Sequence, residues 1–286
     1  MVDRLSPRPL RRPGFRSALR PLLRPVFRSA LWPRQRPGHL RTALAGLLLA
    51  AAGIAPALAS SGPSVCIDRA NPLHGVDRAL AAAIGRIEGA TPRIVSIDTR
   101  DGSDALNAKK PRFFAGLVKR CDLVMGFPVE TGHPVLPPGV AATRPYLRTG
   151  FVIAGATPPP AFSSLKPGTQ VGVVYLTVPT TYFSAGPGAR LAAHQYSTPA
   201  SVLAALGRHE VAYALLWQPL LEQALAKNHM PLHQRALRQP HANWSVVALH
   251  APTPAGRAVA HRFDAALARL AKAGTLARLI APYHTP

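Results

Sequence analysis

Cysteine is nearly absent from this 286-residue chain, which contains Cys66 and Cys121 and no other. Two cysteines are too few for a zinc cluster, and no Cys-x-x-Cys pair is present for redox chemistry. Acidic residues are also scarce, with 12 Asp and Glu against 34 Lys and Arg, so the formal net charge is +22. A charge of this size first suggests a nucleic acid or an anionic membrane as the partner.

The positive charge is unevenly distributed along the chain. Eleven arginines lie between Arg4 and Arg41 with one acid, Asp3, so residues 1–59 carry +10 (11 minus 1) and the remainder carries +12 (22 minus 10). Residues 1–39 mix Arg, Pro and short apolar residues without helical or strand periodicity, so we assign this basic leader no fold. An arm that binds nucleic acid is the alternative interpretation. We expect no nucleic-acid partner, because the rest of the chain is only moderately basic.

An apolar run follows the leader. Residues 43–57 are apolar or small, and Ala57, Leu58 and Ala59 provide the small residues of a cleavage site. Together with the preceding arginines, they predict a secretory signal peptide over residues 40–59 that is cleaved after Ala59. The run is shorter than the about 20 residues that span a bilayer, although an uncleaved anchor is the alternative. We therefore expect a periplasmic protein that meets the membrane through this segment alone.

After the signal segment, strand and helix patterns alternate. Residues 64–68 and 93–97 are short runs typical of strands, and between them Gly75 opens an amphipathic helix that Gly89 ends. Residues 123–125 are apolar without alternation, as in a strand buried on both faces of a parallel sheet. This order predicts a doubly wound α/β sheet, with its binding crevice beyond the carboxyl ends of the strands.

Four residues are placed by this predicted sheet. Asn71 and Phe127 come after the first and third strands, so we expect both at the crevice. Cys66 and Cys121 lie near the starts of the same two strands, which should be neighbours. In an exported protein this pair predicts a Cys66–Cys121 disulfide, and two unrelated buried thiols are the alternative.

The pattern restarts in the second half of the chain. Three prolines at residues 158–160 break regular structure, and a strand pattern follows at residues 171–175. Thr198 can cap a helix that has Pro199 at its first position, and a last long helix is predicted at about residues 253–272. We therefore predict a first lobe, a second lobe and closing C-terminal helices: residues 64–155, 156–250 and 251–286.

Several short motifs from residue 65 to residue 283 resemble the family 3 extracellular solute-binding proteins, the amino-acid-binding type. The motifs are Val65-Cys66-Ile67-Asp68, Gly75-Val76-Asp77, Leu165-Lys166-Pro167-Gly168 and Ile280-Ala281-Pro282-Tyr283. The resemblance implies the type II periplasmic binding fold, in which two doubly wound α/β lobes enclose a ligand cleft. It also implies a substrate-binding component of an ABC transporter for a small polar solute.

Three longer motifs resemble a narrower subgroup, the methanol-oxidation J-type proteins. They are Cys121-Asp122-Leu123-Val124-Met125-Gly126-Phe127-Pro128, Thr143-Arg144-Pro145-Tyr146-Leu147-Arg148-Thr149 and Ala214-Leu215-Leu216-Trp217-Gln218-Pro219-Leu220. This resemblance implies a partner or assembly factor for a quinoprotein alcohol dehydrogenase or its cytochrome c. The dehydrogenase, not this chain, would hold the pyrroloquinoline quinone, so we expect no cofactor here.

The chain departs from the amino-acid binders at the two positions that hold a zwitterion. Those proteins bind the ligand carboxylate with an Arg after the third strand and the ammonium with an acid in the second lobe. Here residues 128–134 contain no Arg, and Trp217 and Gln218 stand where the acid would fall. Ordinary α-amino-acid recognition is therefore not expected.

We expect six residues in the ligand or partner cleft: Asn71, Phe127, Arg144, Tyr146, Thr180 and Trp217. Three of them have a structural alternative. Arg144 could donate a bidentate contact to an anion, or be a surface residue braced by Tyr146. Thr180 could cap a helix whose amides hold an anion, or be an ordinary cap. Trp217 could stack on a ligand or partner, or close the core of a lobe.

Catalytic motifs are missing from the sequence. No Gly-x-Ser-x-Gly elbow, phosphate-binding Gly-rich loop or His-Glu-x-x-His pair is present, and the 11 histidines fit no standard ligand spacing. We therefore expect neither an enzyme nor a metal site. Three classes stay open, namely a dehydrogenase partner, a transport receptor and a periplasmic enzyme on the same scaffold.

Overall fold

The computed structural model describes residues 60–99, 112–238 and 243–285. The predicted leader, signal segment and cleavage site at Ala59 lie outside the described residues. Within the described part of the chain, no helix is long and apolar enough to cross a membrane.

The described residues form a mixed α/β structure. Its strands are β1 (Ser60–Asp68), β2 (Ala90–Ile97), β3 (Leu123–Glu130), β4 (Ala141–Ala142), β5 (Leu147–Gly155), β6 (Gln170–Val174), β7 (Ala192–Tyr196), β8 (Tyr213–Trp217), β9 (His233–Ala236) and β10 (Asn243–His250). Its α-helices are α1 (His74–Glu88), α2 (Phe113–Arg120), α3 (Pro199–Gly207), α4 (Gln218–Asn228), α5 (Pro254–Lys272) and α6 (Thr275–Ile280). Short 3-10 helices occupy Phe162–Ser164, Val178–Phe183, Gly186–Arg190 and Ala281–Tyr283.

The first lobe is built on β1, which lies between β2 and β3 and runs parallel to both. Helix α1 packs on this sheet because Leu80 and Ile84 fall on one face of the helix and are buried. The helix ends at Gly89, which adopts the left-handed conformation with φ of 63°. Helices α5 and α6 come from the far end of the chain and pack against α1.

Strand β5 carries the chain from the first lobe into the second. Its first half pairs antiparallel with β10, from Leu147 opposite Val246 to Gly150 opposite Asn243. Its second half pairs with β8 and β9 instead. Strand β10 brings the chain back, because it pairs antiparallel with β3 as well as β5. The lobes are therefore joined through this pair of strands.

The sheet order is β2-β1-β3-β10-β5-β8-β6-β7, with β4 paired to β10 and β9 paired to β5. Strand β6 is parallel to both β7 and β8, and α3 and α4 pack beside β8. The predicted second lobe, residues 156–250, includes β10, yet the hydrogen bonds of β10 run to β3, β4 and β5. The exact lobe boundaries stay a prediction.

The predicted disulfide is confirmed. Cys66 on β1 is bonded to Cys121, which directly follows α2, and the two Cα atoms lie 5.7 Å apart. Both cysteines are fully buried in the core that α2 covers. Since β1 and β3 are neighbours, the bond joins the start of the third strand to the first strand.

Candidate functional site

A cavity of about 300 Å³ lies where β5 passes between the lobes. Pro128 of β3 and Trp244 of β10 line it from the first-lobe side, and Phe151 lies on the crossing strand itself. The remaining lining residues belong to the second lobe: Val174, Leu176, Thr177, Val178, Pro179, Leu215, Leu216, Trp217 and Leu220. The cavity is therefore built from both lobes.

Trp217 lies at the centre of this arrangement. Strand β8 is apolar and mostly buried, and it ends at Trp217 because α4 begins at the next residue, Gln218, with Pro219 in its first turn. The half-buried indole packs against the hydrophobic cores of both lobes. Trp217 therefore packs against the cores and also lines the cavity, and its stacking on a ligand or partner stays a prediction.

The described residues that line the cavity include no charged side chain. Its polar hydroxyl is that of Thr177, which donates a hydrogen bond to the carbonyl oxygen of Val174. Gln218 is the other residue that stands where the amino-acid binders have an acid, and it is buried. Its side-chain amide contacts the C-terminal segment of the chain. Its Nε2 donates to Glu222 Oε1 at 2.8 Å and to the Pro282 carbonyl at 3.0 Å. The structure therefore brings no zwitterion-binding charge pair to the cavity from residues 60–99, 112–238 and 243–285.

An apolar loop borders the cavity at its mouth. Tyr175, Leu176 and Val178 are large, exposed apolar residues, and Leu176 is 87% exposed. Leu176 also has a φ of 57°, which is unfavourable for a residue with a side chain. Sequence reasoning did not single out this loop, because three apolar residues after a strand resemble ordinary core positions.

Two of the predicted cleft residues belong to a buried hydrogen-bond network in the first lobe. The Tyr146 hydroxyl donates to Asp77 Oδ1 at 2.6 Å and accepts from the Gly126 N–H at 2.8 Å. Asn71 Nδ2 donates to the Gly126 carbonyl at 2.8 Å. Position 126 requires glycine, because its φ is 82° and a Cβ there would lie 2.5 Å from Asn71 Nδ2. Asn71 and Tyr146 thus brace β3 and are not among the cavity-lining residues.

Asp77 is the acidic member of this network and is fully buried. Burial raises the pKa of its carboxyl group from 3.8 to about 7, although the hydrogen bond from Tyr146 opposes that rise. Within the described residues, Asp77 Oδ2 has no hydrogen-bond partner. Sequence reasoning missed this residue. The available signal was its spacing, because Asp77 precedes Leu80 and Ile84 on the buried face of α1.

The other predicted cleft residues lie outside the cavity lining. Phe127 packs edge-to-face on Phe114 of α2, with ring centroids 4.9 Å apart. Arg144 is exposed, and its backbone N–H donates to Asp264 Oδ1 of α5 at 3.0 Å. The Thr180 hydroxyl donates to the Thr177 carbonyl at 2.7 Å, inside a short 3-10 helix. The binding roles of all six residues stay predictions.

Solved structures with the same architecture are substrate-binding domains. Domain 2 of Lactococcus lactis GlnP in the open conformation matches with a TM-score of 0.59 and 15% identity, over 77% of this chain and 94% of that chain. The second substrate-binding domain of a putative amino acid ABC transporter from Streptococcus pneumoniae Canada MDR_19A has a TM-score of 0.58 and 14% identity, over 78% and 99%. This chain has the type II periplasmic binding fold.

A third match fits the same fold. The ancestral cationic amino acid solute binding protein AncCDT-1 has a TM-score of 0.58 and 16% identity, over 78% of this chain and 95% of that chain. No family model matches the sequence, and no curated protein matches it. The predicted fold class is confirmed, and the neighbours are amino-acid solute-binding proteins. At these identities the match establishes the fold alone.

Metal-ligating residues are scattered over the binding fold. Within residues 60–99, 112–238 and 243–285, no three His, Cys, Asp or Glu side chains form a group that could hold a metal ion.

Proposed function

We propose that this chain is an exported solute-binding protein that holds a small molecule between its lobes and delivers it to a membrane transporter. The observation that carries the proposal is the cavity of about 300 Å³, which residues of both lobes line at the crossing strands. In this fold the ligand is held between the lobes, and a cavity lined from both sides is suited to that role. The proposal includes cleavage after Ala59 and release into the periplasm.

The cavity lining also favours binding without chemical change. General acid–base or nucleophilic catalysis needs a titratable or nucleophilic group within hydrogen-bond reach of the substrate. The lining offers the Thr177 hydroxyl, which has no adjacent base among the lining residues and already donates to the Val174 carbonyl. We therefore expect the bound molecule to leave unchanged.

Native mass spectrometry of protein gently extracted from the periplasm tests this function. We expect a small-molecule mass on the folded protein that is lost on unfolding. Replacing Val178 by Trp at the cavity mouth should abolish that extra mass, because the larger side chain fills the cavity. Val135→Trp is the matched control, since Val135 is 82% exposed and is not a lining residue. A bound mass retained by Val178→Trp, or absent from the unaltered protein, would contradict the proposal.

A second candidate function is that of a partner for a quinoprotein dehydrogenase or its cytochrome c. It is supported by the exposed apolar loop with Tyr175, Leu176 and Val178, because exposed apolar groups of this kind mark interaction sites. A charge of +12 on residues 60–286 would attract an acidic partner. If this function holds, the dehydrogenase should be captured from periplasm at low salt and released as salt rises. Capture that does not depend on salt or on Leu176→Asp would contradict it.

A further inference from the structure

Three aromatic side chains converge on the cavity from three different strands. Phe151 on β5 lies directly opposite Trp217 on β8 in the ladder that joins these strands. Trp244 on β10 lines the same cavity from the other lobe. Flat rings pack well against another ring, either offset or edge-to-face, with centroids about 4.5–7 Å apart. The aromatic lining therefore favours a ligand that contains a planar ring.

The charges around the cavity do not suit a zwitterion. An α-amino acid brings a carboxylate and an ammonium, and moving either from water into an apolar site is costly unless an opposite charge meets it. Among the described residues that line the cavity, none is Arg, Lys, Asp or Glu. An acid lies beside one lining residue in the sheet, since Glu130 is opposite Trp244 in the β3–β10 ladder, and its side chain is exposed. The lining therefore favours a ligand without net or paired charges.

The cavity still offers polar groups to a neutral ligand. An indole N–H is a donor and never an acceptor. Neither Trp217 nor Trp244 donates a hydrogen bond to another group in the described part of the chain. A carbonyl or hydroxyl oxygen on the ligand would give these donors a partner. Size sets a further limit, because about 300 Å³ is at the lower end of ligand cavities, which suits a molecule with a single ring.

We infer that the cavity binds a small neutral molecule with one planar ring and an acceptor oxygen, and that it rejects α-amino acids. This inference rests on the proposed solute-binding function and specifies its ligand class. Benzyl alcohol, p-cresol and benzaldehyde are suitable probes of this class.

Tryptophan fluorescence gives a direct measurement, because the three tryptophans of the chain are Trp32 in the predicted leader and the two cavity residues. In the exported protein the signal therefore comes from the cavity alone. We expect the neutral probes to change the tryptophan fluorescence saturably, whereas L-phenylalanine, L-leucine and L-glutamine should leave it unchanged. Calorimetry at several temperatures should show a negative heat-capacity change, as expected when apolar surface is buried.

Three variants separate specific binding from general effects. Leu176→Asp removes an apolar group from an exposed lining position and should weaken probe binding roughly tenfold, because the bound ring would lose that contact and would displace water from the new carboxylate. Val135→Asp adds the same charge at an exposed position outside the cavity and should leave affinity unchanged. Trp217→Phe keeps a ring and removes the N–H, so it should weaken the probes that carry an oxygen more than toluene.

The outcomes distinguish this inference from the function on which it rests. An amino acid that binds more tightly than every neutral probe would overturn the ligand class and leave the solute-binding function standing. So would tight binding of phenethylamine that Glu130→Gln abolishes, because the site would then recognise a cation. Absence of binding by all probes, together with absence of any bound mass on the native protein, would overturn both.

Discussion

Replacing Asp77 by Asn is expected to raise the free energy of unfolding at about pH 8 by up to about 4 kcal/mol and to change it little below pH 3.8. The cause is burial, which raises the pKa of this carboxyl from 3.8 to about 7 in the folded protein. The folded state therefore holds the proton more tightly than the unfolded state. The resulting stabilisation is fully present below pH 3.8 and is lost as the pH rises through about 7.

Urea unfolding of both proteins over this pH range measures the effect. The amide of Asn has the shape of the protonated acid and can still accept from the Tyr146 hydroxyl. The free energy of unfolding of the variant should therefore not fall as the pH rises through about 7. Glu88→Gln is a suitable control, because Glu88 lies at the other end of α1. The stability of this variant should depend on pH in the same way as that of the unaltered protein. A variant that is less stable at about pH 8 would mean that the folded protein favours the ionised carboxylate and that burial does not raise its pKa.

Removing the disulfide has the second large expected effect. The bond closes a loop between residues separated by 55 positions, and the chain-entropy model assigns such a loop about 4 kcal/mol of stabilisation. For a domain of this size we expect the double variant Cys66→Ala/Cys121→Ala to melt roughly 8–16 °C lower.

Thermal unfolding of the oxidised protein, the reduced protein and the double variant separates the bond from the side chains. The reduced protein keeps both thiols, so its melting temperature should fall by about as much as that of the double variant. Equal melting temperatures for the oxidised and reduced proteins would refute the predicted stabilisation. Two titratable thiols in native periplasmic protein would refute the bond itself.

Local signals in the sequence predicted much of the fold. The Thr198 hydroxyl accepts from the Ser201 N–H at 3.1 Å, as its position before Pro199 predicts, and Gly89 ends α1 in the left-handed conformation. Such features depend on residues a few positions apart. Strand β9 was not predicted, because three of its four residues are exposed and it shows no apolar alternation. It exists because β5 offers an edge to pair with, which is a property of the assembled sheet.

The site was less predictable than the fold, since its parts are distant in the sequence. Trp217 was predicted from its place at the end of an apolar strand, and it does line the cavity. Trp244 was predicted only as a strand residue, because it reaches the cavity through the antiparallel placement of β10 beside β5. Asn71 was predicted from its place after the first strand and Tyr146 from the subgroup motif, yet neither signal reveals that their polar atoms bond to Gly126.

The crossing of β5 and β10 has a consequence for biosynthesis. In the described part of the chain, the elements of the first lobe come from two stretches of the sequence, from β1 to β4 and from β10 to α6, whereas β6 to β9 of the second lobe come between them. A chain made from its N-terminus supplies β10 and α5 last, and Leu80 and Leu123 lack their cover from Phe263 and Leu267 until then. We therefore expect the second lobe to complete its folding first. Cys66 and Cys121 both lie in the N-terminal part of the first lobe. The disulfide can therefore form and link β1 to the start of β3 while the rest of that lobe is still being exported.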